Sequence, residues 1–179
     1  MNTPHFQLTV PPRAVDHSVG PPDARVTVVE YGDFECPNCK QARPAVKLML
    51  DRHAGRVRFI FRHFPLEEVH PHAINAAEAA ESAGGQHKFW PMHDLLFDNQ
   101  AHLKPQHLAS YAERISLEMS RYKSEMADHI YLQRIREHMQ GARDSGVRAT
   151  PTFFINGRIH DVSFGIRSLF DGVQALLAK

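Results

Sequence analysis

Residues 26–31 form an apolar run interrupted only by Thr27 and Glu30, and so short and continuous a stretch, rich in valine, predicts a buried central strand. Residues 36–52 then switch to helical spacing, with Ala42, Ala45, Val46 and Met49 on one face and Pro44 set to kink the helix. In residues 57–64, Val57, Phe59 and Phe61 alternate with Arg58, Ile60 and Arg62 until Pro65 stops the run, which predicts a second strand. Helical periodicity fills the chain from about residue 71 to 145. An alanine-rich segment ends at Gly84-Gly85, and the sets Leu108, Tyr111, Ala112, Ile115 and Tyr131, Ile135, Met139, Ala142 follow. Gly146 ends the last of these helices. Residues 152–155 read as a strand, and Asn156-Gly157 is a two-residue hairpin signal leading to residues 158–162. A final amphipathic helix carries Ile166, Leu169, Phe170, Val173, Leu176 and Leu177, spaced to cover one face of a sheet. Prolines at 4, 11, 12, 21 and 22 deny ladder bonding to the N-terminal residues and predict an extended surface arm. The fold class is α/β with an all-helical insertion: an arm over 1–25, an α/β domain over 26–64 and 146–179, and an inserted helical subdomain over 65–145.

A chain of 179 residues with 42% hydrophobic content buries one substantial core, compatible with one domain carrying an insertion. Its formal charge is +1, from 21 basic and 20 acidic residues, so no strong field attracts nucleic acid or an anionic membrane. Proteins and small thiols are the expected partners. No apolar stretch approaches the roughly 18 residues of a membrane span, and the first residues lack the basic and apolar regions of a signal peptide. With Met1 as the native start, the expectation is a cytoplasmic protein; a processed chain would instead be periplasmic or extracytoplasmic.

Chemistry concentrates in Cys36-Pro37-Asn38-Cys39, which holds the only two cysteines of the chain, at the passage from strand to helix. A thiol in the first turn of a helix meets unpaired N–H groups and the positive end of the helix dipole, both of which favour thiolate. Pro37 suits that turn, having no N–H to waste and a φ that is already helical. Cys36 and Cys39 lie about one helical turn apart, close enough for a reversible disulfide. A lone C-x-x-C is equally half of a zinc site, and the 13 histidines, closest together at His70-Pro71-His72 and at His87 with His93, offer scattered further ligands. On spacing alone the two readings weigh the same.

The segment from Val28 to Cys39, VVEYGDFECPNC, resembles the active-site strand, loop and helix of the DsbA-like branch of the thioredoxin superfamily. Gly146 to Gly157, GVRATPTFFING, resembles that family's cis-proline loop, strand and turn, and Phe89 to Phe97, FWPMHDLLF, a segment of its inserted helices. The likeness runs from about Asp16 to the C-terminus and implies a thioredoxin fold with an inserted helical subdomain and a thiol-disulfide oxidoreductase. No cofactor is implied beyond the redox-active Cys36-Cys39 disulfide, and no metal.

In that reading Cys36 is exposed and attacks, while Cys39 is shielded and resolves the mixed disulfide. Glu30 stands where such proteins carry a buried acid below the disulfide, its pKa raised by the apolar strand and its carboxyl able to ferry a proton for Cys39. The competing role for Glu30 is a surface salt bridge. The resemblance makes the Thr150-Pro151 bond cis and sets it within a few ångströms of Cys36, with Thr150 offering backbone groups to an extended substrate; Pro37 and Asn38 complete the substrate-binding set. Strong oxidants of the branch carry histidine where this chain has Asn38, so a less oxidising couple is expected. Glu35 reads as a solvated side chain. Phe89, Trp90, His93 and Phe97 read as core, with a substrate groove as the alternative. A zinc-binding structural module and a catalytically idle binding or chaperone-like module on the same fold are the competing functions. Substrate, redox partner, direction and oligomeric state are not legible.

Overall fold

The computed structural model describes residues 7–163 and 165–178, so the first part of the expected arm lies outside the described residues. The chain divides into two compact units. The first holds the described residues up to Gly32, Gln41–Arg62 and those from Gln140 onward; the second holds Asp33–Lys40 and His63–Met139.

Five strands build the first unit: β1 (His17–Val19), β2 (Val26–Gly32), β3 (Val57–His63), β4 (Thr152–Ile155) and β5 (Arg158–His160), in the order β1-β3-β2-β4-β5. β2 is central and almost wholly buried, as its apolar run predicts. β4 pairs antiparallel to it, with Glu30 opposite Phe153 and Tyr31 opposite Thr152. The β4–β5 turn places Asn156 at φ 48° and Gly157 at φ 79°, the left-handed pair that a two-residue hairpin requires. Asn156 also fastens the turn to β2, because its Oδ1 accepts from Thr27 N–H at 2.8 Å and its own N–H donates to Thr27 O at 2.8 Å. β5 stops at His160, short of the expected Val162.

The arm departs from expectation. Between its proline pairs, β1 joins the sheet edge antiparallel to β3, matching His17 with Phe61 and Val19 with Phe59. Residues 17–19 are free of proline, so their N–H groups remain available for the ladder. Gly20, at φ 92°, ends the strand where a Cβ would stand 2.1 Å from Val57 O, a position only glycine fills.

β3 is also buried at every position, its two arginines included. Arg58 donates to Arg13 O at 3.0 Å, and Arg62 is enclosed by acceptors supplied by the arm. Helix α7 (Arg167–Leu177) packs on β2 and β4 through Leu169, Val173 and Leu177, while Ile166, Phe170 and Leu176 are half-buried.

The second unit is helical: α2 (Ala73–Gly84), α3 (Phe89–Asp98), α4 (Pro105–Arg114), α5 (Met119–Ala127) and the first part of α6 (Leu132–Asp144). α2 packs against α3, α4 and α5, and its alanines let those neighbours approach closely. It also buries three polar side chains, each with a partner, as burial demands. Glu78 meets His129 at 3.0 Å, Ser82 donates to Glu125 at 2.7 Å, and Glu81 is bound by His63 and Arg134.

Tyr122 of α5 is 3% exposed, and burial raises its phenol to about 12 from an ordinary 10.0. A raised acid keeps its proton in the folded chain, so its stabilising contribution is complete below pH 10, the unfolded value, and is lost as pH rises through 12. Tyr122→Phe is expected to flatten that part of the alkaline stability profile by on the order of 2 kcal/mol, read from denaturant midpoints at stepped pH.

Candidate active site

Helix α1 (Pro37–Arg52) starts at Pro37, the first-turn position that suits proline, and continues through Pro44 to Arg52. Just before it, Cys36 N–H donates to Asp33 O at 3.1 Å, closing a turn that folds Cys36 inward. Cys36 is therefore 5% exposed and Cys39 0%, while Pro37 and Asn38 face solvent. The expectation of an exposed Cys36 is corrected by that turn, although Cys39 remains the deeper of the pair. No disulfide joins the two. No acidic residue lies in the first turn of α1, so nothing there opposes a thiolate near the helix start.

The motif is held by side chains from elsewhere in the second unit. Asp33 N–H donates to Cys39 Sγ at 3.5 Å. Gln100 Nε2, 64 residues from Cys36, donates to Cys36 O at 2.8 Å and to Phe34 O at 2.9 Å. The Asp33 carboxylate accepts from Glu35 N–H at 2.7 Å, Leu66 N–H at 2.8 Å and His70 Nδ1 at 2.7 Å. Glu35 is not the solvated side chain expected: it is half-buried and its Oε2 accepts from His72 N–H at 2.7 Å. Asp33 and Glu35 thus fasten the segment after β3 to the redox loop.

Below the loop, the Phe34 ring meets Phe97 at 4.9 Å, His93 at 5.7 Å and His63 at 5.9 Å. Of the four residues read as core, Phe89, His93 and Phe97 are buried and Trp90 is half-buried; His93 Nδ1 lies 3.0 Å from the Asp94 carboxylate. Sequence reasoning missed Phe34, Asp33, His70 and Gln100. The acid three residues before Cys36 and the His70-Pro71-His72 grouping are local signals for two of these, whereas Gln100 has none.

The remaining predicted residues belong to the first unit. Glu30 is 4% exposed, a buried acid on β2 and not a surface side chain. The Thr150-Pro151 bond is cis, Thr150 is buried, and Pro151 precedes Thr152, the β4 partner of Tyr31. Glu30 and the proline loop therefore share the end of the β2–β4 pair from which the chain continues into the cysteine motif.

Among the described residues, one group places three potential metal ligands within 4.8 Å of one another: His63, Glu81 and His138, and it includes neither cysteine. Its atoms are already engaged. His63 Nε2 meets one Glu81 oxygen at 2.8 Å, Arg134 the other at 2.9 Å, and His138 Nδ1 accepts from His63 N–H at 3.2 Å. No helix among the described residues is long and apolar enough to cross a membrane.

Residues 13–171 match a family model described as Thioredoxin. Among curated proteins, the chain is 50% identical over 91% of its length to Na(+)/H(+) antiporter NhaA 1 of Salinispora arenicola. It is 48% identical over 92% of its length to Na(+)/H(+) antiporter NhaA 3 of Salinispora tropica. The chain spans only 25% of each of those polypeptides. Among solved structures, oxidised BdbD of Bacillus subtilis superposes with a TM-score of 0.81 at 22% identity, covering 92% of this chain and 94% of that one. A thioredoxin-like oxidoreductase of Silicibacter pomeroyi DSS-3 gives 0.80 at 24% identity, covering 93% and 95%. The catalytic domain of Proteus mirabilis ScsC gives 0.77 at 21%, covering 93% and 92%.

Proposed function

Since the chain belongs to the thioredoxin family, we propose that it is a DsbA-like thiol-disulfide oxidoreductase working through Cys36 and Cys39. The observation that carries this reading is the pair of buried cysteines at the start of α1, the deeper one receiving the Asp33 N–H. In the reducing direction the Cys36 thiolate attacks a substrate disulfide, forming a Cys36–substrate bond and releasing one substrate thiolate. Cys39 then displaces the second substrate sulfur and closes the Cys36-Cys39 disulfide. Two electrons pass to the substrate, and the two thiol protons end on its two sulfurs. In the oxidising direction the same steps run backwards.

Glu30 serves as the proton carrier for Cys39 in this proposal, and Thr150 and Pro151, with Pro37 and Asn38, as the substrate-binding residues. The uncharged Asn38 favours a couple between about −120 and −270 mV, on the reductase or isomerase side. The test is turnover of insulin disulfides with dithiothreitol, together with the Cys36-Cys39 potential against glutathione buffers. Catalysed reduction and a potential in that interval are expected. Stoichiometric zinc, with unfolding by chelator, would establish the structural-metal reading; function unchanged in Cys36→Ser would establish the idle binding module.

A second reading rests on the quarter-length coverage of polypeptides named as Na(+)/H(+) antiporters. It makes a membrane-embedded antiporter the partner whose thiols this module serves. The Cys39→Ser chain is expected to form a mixed disulfide with an antiporter polypeptide in membranes of the source cell. Adducts confined to water-soluble proteins would remove this reading.

A further inference from the structure

Asp33 serves two segments at once. Its carboxylate is wholly buried, with 0% of the side chain exposed, and accepts from the Glu35 and Leu66 amides and from His70 Nδ1. A buried carboxylate is tolerated only when hydrogen-bonded, so these donors define where the residue sits. The backbone N–H of the same residue, fixed along with it, points at Cys39 Sγ. Two of the donors come from the turn at residues 66–70, which closes on itself through Val69 N–H and His70 N–H, both donating to Leu66 O, at 3.0 and 2.9 Å.

We propose that His70 is a positioning residue for the resolving thiol: by holding the Asp33 carboxylate, it keeps the Asp33 N–H aimed at the Cys39 sulfur. The inference rests on the dithiol reading above and names a residue that acts in only one of its steps. During resolution, the Cys39 thiolate attacks Cys36 Sγ in the mixed disulfide. The Cys36–Cys39 bond forms while the bond from Cys36 to the substrate sulfur breaks. Its electron pair leaves on the substrate thiolate, which takes up a proton, while the proton shed by Cys39 passes to Glu30, its carrier in the reading above. An N–H directed at Cys39 stabilises the thiolate that must form. The first attack, by Cys36 on substrate, does not use the N–H aimed at Cys39.

The experiment follows the mixed disulfide formed when the reduced full chain meets oxidised glutathione, by rapid acid quench and mass spectrometry. In His70→Ala the Cys36–glutathione adduct is expected to persist about tenfold longer than in the parent chain, the consequence of losing one charge-assisted hydrogen bond. The rate of adduct formation should be unchanged. In His70→Asn, whose amide N–H stands where Nδ1 stood, the lifetime should return to within about twofold of the parent value. Should His70→Ala not fold, His70→Gln carries the same expectation, because its amide nitrogen mimics Nε2 and misses the carboxylate. A purely structural role would lower the melting temperature without changing the adduct lifetime below it. An unchanged lifetime in His70→Ala, or an Asn variant no faster than the Ala variant, overturns the proposal. A parent chain that forms no adduct with glutathione overturns the dithiol reading itself, and the assignment of His70 with it.

Discussion

Cys36→Ser is expected to bring thiol-disulfide exchange down to the uncatalysed rate, whereas Cys39→Ser should perform the first attack and then stall as a covalent adduct with its substrate. The asymmetry follows from position. Cys36 precedes the first turn of α1, where unpaired N–H groups and the dipole favour a thiolate, while Cys39 is fully buried one turn further in. A serine hydroxyl in place of Cys36 offers no competent nucleophile, so neither turnover nor adduct remains. A serine in place of Cys39 removes only the second displacement, which leaves the mixed disulfide without its intramolecular exit. Non-reducing gels after mixing each variant with a disulfide-bonded protein read both outcomes. Adducts in equal amount from the two variants, or from neither, would defeat the division of roles.

Asp16→Ala is expected to destabilise the chain by about 3–5 kcal/mol, a large share of the roughly 5–15 kcal/mol that holds a typical domain together. Asp16 and Arg62 form a two-pronged pair, at 3.0 Å from Arg62 Nε to Oδ1 and 2.9 Å between Nη2 and Oδ2, with side chains 4% and 2% exposed. The rest of the guanidinium is bound as well: Val10 O accepts at 2.7 Å, Pro11 O at 2.9 Å, and the Tyr31 hydroxyl lies at 3.2 Å. Burial opposes the charge on Arg62, yet the hydrogen bonds and charge of Asp16, together with Tyr31, outweigh it and hold the group above its ordinary range. Deleting the carboxylate leaves that cation buried with two donors unmet. The pairing also anchors the arm, since Asp16 Oδ2 accepts from Arg13 N–H at 2.6 Å just before β1. Urea unfolding gives the measurement. The double variant Asp16→Ala with Arg62→Met should recover much of the loss, because no charge is then stranded. A cost below about 1 kcal/mol for Asp16→Ala would show a pair screened by water.

The same pair marks where sequence reasoning stops. Arginine at alternate positions of a strand reads as a solvent face, because the type of a residue records its transfer cost and not the acceptors that other segments will bring. Arg62 is buried because Asp16, 46 residues earlier, and the arm carbonyls fold onto it. The prolines of the arm were legible, but not that the residues between them would find the free edge of β3.

The features legible in the chain are local ones. The apolar run of β2, the proline-led start of α1 with its two thiols, and the Asn156-Gly157 turn are each written in a few neighbouring residues, since strand burial, helix initiation and left-handed turns depend on adjacent side chains and backbone angles. Tertiary structure alone decided how the thiols are held. The turn onto Asp33 withdraws Cys36 from solvent, Gln100 reaches its carbonyl from 64 residues away, and His70 reaches the Asp33 carboxylate from 37. Hydrogen bonds between such distant groups obey no sequence period; they form only where packing of the helices delivers donor to acceptor, and buried polar groups tolerate no other arrangement.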